Sequence, residues 1–212
     1  MVFAWILPIA LGLVAVSLYS LLNGIPDFGD LPEYKKHEFL ARVNGLLFIV
    51  YLVIRRLFTH DIQDVMEQLT QIVGYMVYDC AHLTYYAKSM DYYVHHLFYF
   101  SCYFIGVPFA SEANIKLFYD LTCILESTGP FMTIGWMMDA LKYPAGTVQT
   151  SAQIIAFVTW TLIRMVLFPY WIMNFVPQTY MLYPLSFMVL NCYWFYLLVK
   201  KVMKVANEPT TS

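Results

Sequence analysis

The feature that most constrains this chain is the length of its apolar runs. A helix needs about 20 apolar residues to cross a hydrocarbon core about 30 Å thick. The sequence contains seven such candidates, at 4–22, 42–58, 68–87, 96–110, 115–139, 150–175 and 179–200. With 60% hydrophobic and only 12% charged residues, the chain reads as an all-α, polytopic membrane protein with seven spans. Residues 4–22 lack a basic leader and a convincing cleavage site, so the run is kept as the first span rather than a signal peptide.

The segment 23–41, rich in Gly, Pro and Asp, reads as a polar turn-forming loop. It divides an N-terminal helix and loop (1–41) from a six-helix domain (42–204), with a short tail at 205–212. Short connections within the domain imply antiparallel neighbours. Arg55, Arg56 and Lys116 flank the spans on the N-terminal side. Lys35, Lys36, Arg42, Lys88, Lys142, Lys200, Lys201 and Lys204 flank them on the other. Basic residues favour the cytosol, so the N-terminus is expected to be lumenal or external and the C-terminus cytosolic. A net charge of -2 without basic runs gives no footing for nucleic acid. The four cysteines lie inside apolar runs and read as packing residues.

Against this background the stretch YDCAHLTYYAKSMDYYVHH at 78–96 holds an aspartate and three of the five histidines. The other polar groups inside spans are Glu126, Arg164 and Asn191. A centred Asp or Arg costs roughly 2.5–3.5 kcal/mol on insertion, so such groups face a bundle interior and pair there. Tyr75, Asp79, His82 and Tyr86 share one stripe of the third span; Thr122, Glu126 and Thr133 share one on the fifth; Gln153, Trp160 and Arg164 share one on the sixth. Interhelical hydrogen bonding alone accounts for residues such as Asn191 and Gln153.

Charge counting ties the histidines to this network. Asp79 and Glu126 are two potential anions, whereas Arg164 is the one cation deep in a span. The balance therefore calls for an imidazole beside a carboxylate, a ready general base or nucleophile near neutral pH. His95 and His96 point about 100° apart on a helix, so one should face a cavity and the other anchor it. Either can take either role on sequence grounds.

Five histidines are too few for a di-iron hydroxylase. A zinc site built from His82, His95 and His96, as in seven-helix lipid amide hydrolases, is a minority reading, because the last span carries no HxxxH. No metal or bound cofactor is expected.

Four strings in order resemble the TLC-domain family, which includes the ceramide synthases: GYMVYD at 74–79, His95-His96, LESTGPFMTIGW at 125–136 and NCYWF at 191–195. The resemblance implies a six-helix TLC-type barrel around a lipid cavity, preceded by one transmembrane helix, in the endoplasmic reticulum. It further implies acyl transfer from acyl-coenzyme A, with His95 and His96 as base or nucleophile and partner and Asp79 holding an imidazole. Tyr75, Tyr78, His82, Glu126, Arg164, Asn191 and Trp194 would be substrate or supporting contacts. Where ceramide synthases carry HDxxDxxLE, this chain has FYDLTCILE at 118–126. It is therefore closer to the short TLC-domain proteins, for which the alternative is a non-enzymatic lipid-binding role that regulates membrane lipid composition.

Overall fold

The computed structural model describes residues 3–59, 61–86, 90–143, 147–176, 178 and 181–207, and among these every regular element is helical. The order is α1 (Phe3–Leu22), a short α2 (Pro26–Gly29), α3 (Glu33–Phe58), α4 (Ile62–Tyr86), α5 (Met90–Ser101), α6 (Glu112–Glu126), α7 (Gly129–Ala140), α8 (Thr147–Trp160), α9 (Phe168–Phe175) and α10 (Leu182–Asn207). Among the described residues, Glu33–Phe58 and the continuous stretch Thr147–Asn174 are long and apolar enough to cross a membrane. Large apolar side chains such as Leu57, Phe104, Phe109, Met173 and Val189 point outward, as lipid-facing residues do.

The segment 23–41 is more helical than its Gly and Pro content suggests. Pro26 opens α2, and Pro32 stands immediately before α3, positions where a missing N–H costs nothing. From Glu33 onward, same-face pairs support the helix: Lys36 Nζ lies 3.1 Å from Glu33 and Arg42 Nη2 lies 3.0 Å from Glu38. The polar loop of the sequence reading is thus a short turn followed by the first turns of α3.

Three of the spans expected to be regular helices carry an interruption, and each lies at a proline. Proline cannot donate to the carbonyl four residues back and crowds it. Pro108 faces the carbonyl of Phe104 inside a π-helical turn, Cys102–Gly106, that continues into a 3-10 turn, Val107–Phe109. Pro169 stands in the same relation to Met165, inside a second π-helical segment, Thr161–Leu167. Widened turns of this kind re-satisfy backbone groups that a proline frees. Pro130 faces the carbonyl of Glu126, and there the helix breaks outright into α6 and α7. The stripe Thr122, Glu126 and Thr133 therefore does not run along one helix.

The bundle packs α3 against α1, α4 and α7, α4 against α1 and α6, α7 against α8, and α10 against α5 and the second π segment. Phe48, Leu52, Leu69, Ile72, Met76 and Tyr119 form the main core where α3, α4 and α6 meet. A smaller cluster, Leu125, Phe168 and Ile172, lies under the α6 end. The helix α5, which contributes Tyr99 to the main core, carries the histidine pair.

Candidate functional site

Helical geometry separates the two histidines. Their ring centroids are 5.3 Å apart with planes crossing at 67°, and each faces a different carboxylate. His95 Nε2 lies 3.4 Å from Glu126 Oε1, and His96 Nε2 lies 3.3 Å from Asp79 Oδ2. The side chain of His96 is 4% exposed, that of His95 13%.

The difference reflects what surrounds them. His95 and Glu126 both line a cavity of about 170 Å³, whose wall is otherwise almost entirely apolar. Phe98, Tyr99, Phe118, Leu121 and Phe187 form much of it. His95 also packs against Phe187 and Trp194, at 5.3 and 5.7 Å between ring centroids. Its Nδ1 is buried with no hydrogen-bond partner among the described residues. His96 and Asp79 lie outside the cavity wall. Asp79 is within electrostatic reach of Arg42.

Glu126 is held by the way its helix ends. Because Pro130 cannot continue the α6 ladder, the last carbonyls of α6 need other donors. Ser127 Oγ donates to the Ile124 carbonyl at 2.6 Å and Thr128 Oγ1 to the Leu125 carbonyl at 2.8 Å. Arg164 supplies the third donor. Its Nη2 donates to the Leu125 carbonyl at 2.8 Å, Nε to Thr128 Oγ1 at 3.0 Å and Nη1 to Asn191 Oδ1 at 3.0 Å. The guanidinium lies 4.3 Å over Trp160, with Trp194 and Phe187 each at 6.0 Å. A cation fixed in this way at a helix C-terminus favours the local dipole, and Glu126 lies within its electrostatic reach.

Of the residues singled out in sequence, His95, Glu126 and Trp194 come together beside the cavity, and Arg164 and Asn191 form the buried bonding hub behind them. His96 and Asp79 form a separate pair. Tyr78 accepts a hydrogen bond from Asn44 Nδ2 at 2.9 Å, and Tyr75 stacks on Phe48 at 4.1 Å; neither lines the cavity. The side chain of His82, and with it the His82, His95 and His96 set considered for zinc, lies outside the described residues. Asn44 and Thr128, both fully buried, were missed as site-forming residues. The signal for Thr128 was present in the STGP turn at 127–130.

The TLC-domain family model matches residues 55–200, well over half of the chain. The chain belongs to the TLC-domain family. Both histidine–carboxylate pairs, Arg164 and Asn191 fall within the matched TLC domain, whereas Arg42 and Asn44 precede it. No curated protein and no solved structure matches the chain. The TLC domain and the long apolar helices mark a membrane protein with a lipid-related function.

Proposed function

We infer that this TLC-domain protein is an acyl-coenzyme A-dependent lipid acyltransferase, with His95 as its base. One observation carries the reading: a histidine–carboxylate pair lies on the wall of a largely apolar cavity. An apolar pocket with a few convergent polar groups is the arrangement expected of a site that binds a hydrocarbon chain and acts on its polar end. Glu126, facing Nε2, favours the imidazole with its proton on that nitrogen, which leaves Nδ1 as the atom that accepts a proton.

The chemistry balances without a metal or redox partner. A lipid amine or hydroxyl attacks the thioester carbonyl and loses its proton to His95. The tetrahedral intermediate then expels the coenzyme A thiolate, which takes the proton from His95. An amide or ester forms, and the carbon–sulfur bond breaks. General-base catalysis of this kind contributes roughly a hundred- to ten-thousand-fold. Glu126 orients the imidazole, and the Arg164 hub holds Glu126 at the helix break.

Seven spans, an endoplasmic reticulum location and a lumenal N-terminus complete the reading. The charge bias of the flanking segments supports the orientation, and the family supports the organelle. Purified protein given labelled acyl-coenzyme A and a panel of lipid amines and alcohols should transfer label, and His95→Ala should lower the transfer at least about a hundredfold. Absence of transfer across the panel in the wild-type protein would favour the second reading, a lipid-binding protein that regulates membrane composition without catalysis. That alternative draws support from the largely apolar cavity wall.

A further inference from the structure

Gly106 sits in the π-helical turn of the α5 span, where glycine needs an explanation. Within a helix it costs about 0.5–1 kcal/mol relative to alanine. A left-handed backbone would justify it, but no glycine among the described residues has positive φ. Crowding would also justify it, as at Gly45 and Gly129, where an added Cβ would meet Tyr75 at 2.9 Å and Ile49 at 2.8 Å. Neither applies at Gly106, where a Cβ would meet nothing within 4 Å. The residue lines the cavity, and the empty space beside it is what a side chain would fill.

Its place along the cavity gives that space a meaning. His95, Glu126, Asn114 and Thr122 are among the cavity's polar side chains, and Cys102, Gly106 and Ala110 line it at increasing distance along the chain from His95. From His95 to Gly106 is roughly 16 Å at about 1.5 Å per residue. That is about half of a hydrocarbon core about 30 Å thick, or the depth of one leaflet. Bulky Phe98 and Tyr99 line the wall beside His95, and the small residues Gly106 and Ala110 line it further along the same span.

We propose that Gly106, with Ala110 behind it, sets the maximum length of the single acyl chain that this cavity accepts. The inference rests on the lipid-cavity reading above and adds the residue that limits the substrate. A chain anchored with its carbonyl at His95 passes the Gly106 position only because no side chain stands there. Shorter chains end before reaching it.

The test measures binding rather than turnover, so it does not depend on catalysis. Purified wild-type protein and Gly106→Phe are labelled with photoreactive octanoic, lauric and palmitic acids in competition. Gly106→Phe should lower palmitic acid labelling at least about tenfold, the change expected when two methylenes lose an apolar site, and leave octanoic acid labelling unchanged. Retained octanoic labelling also shows that the variant is folded. If Gly106→Phe does not fold, Gly106→Val and Ala110→Leu carry the test, and each should weaken palmitic more than octanoic labelling. Equal loss at every chain length, or no loss, overturns the role of Gly106 while leaving the cavity reading intact. Absence of labelling by any of the acids in the wild-type protein overturns the cavity reading and this inference with it.

Discussion

His95 and His96 are neighbours in sequence, carry the same side chain and each face a carboxylate at nearly the same distance, yet they occupy different environments. His95 shares its cavity wall with Glu126, while His96 is sealed against Asp79 between α4 and α5. One helical step of about 100° separates them. Identical chemistry placed one residue apart therefore yields one group open to a substrate and one that fixes the helix. The contrast also shows in the carboxylates. Asp79 sits within a regular helix, whereas Glu126 ends one at a proline-imposed break.

Substitutions should separate the two pairs. The largest effect is expected from His95→Ala, which should lower acyl transfer roughly a hundred- to ten-thousand-fold, the share carried by a general base. Its thermal midpoint should fall less than that of His96→Ala, because Glu126 keeps Arg164 within electrostatic reach. Equal losses of transfer and of stability, measured side by side, would erase the distinction between the histidines.

His96→Ala should do the converse. Truncating a buried side chain and leaving Asp79 unmatched is expected to cost about 2–4 kcal/mol of stability, read from thermal unfolding in detergent. Any loss of transfer should then follow the folded fraction. Arg164→Leu should destabilise by a similar or smaller amount, about 2–3 kcal/mol, because Thr128, Asn191 and the Leu125 carbonyl lose a shared donor. Arg164→Lys should recover part of that stability but less of the transfer, since an ammonium does not reproduce the planar fork. The smallest effect is expected at Gly45→Ala, whose new methyl would press the Tyr75 hydroxyl. A ring stacked on Phe48 has limited room to move, giving a cost of about 1 kcal/mol and no change in transfer.

Much of this arrangement was legible in the sequence, and what was missed has a common cause. The apolar run at 4–22 coincides closely with α1, and those at 68–87 and 179–200 overlap α4 and α10, because composition and length act over a whole span. The assembly of Glu126, Arg164 and Asn191 near the histidines followed from the cost of isolated polar groups in lipid, a constraint independent of exact helix geometry. The breaks at Pro108, Pro130 and Pro169 were overlooked because apolar periodicity runs through them, even though a proline acts on a single carbonyl. The resemblance places Tyr75 and Tyr78 among substrate or supporting contacts, yet neither lines the cavity. Their partners, Phe48 and Asn44, lie on α3, and helix-to-helix contacts of that kind leave no mark in the local pattern. The helical start of α3 was hidden by Pro26, Gly29 and Pro32, whose positions at helix ends differ from those in a loop only by context.

Chemical access to the two imidazoles tests the central contrast most directly. The folded protein would be treated with diethyl pyrocarbonate, a small apolar reagent that acylates imidazole, and modification at each histidine read by peptide mass spectrometry with and without a bound fatty acid. The expected result is modification of His95 that the fatty acid suppresses, with His96 unmodified until the protein unfolds. Equal modification of both, or modification of His95 indifferent to the fatty acid, would contradict it.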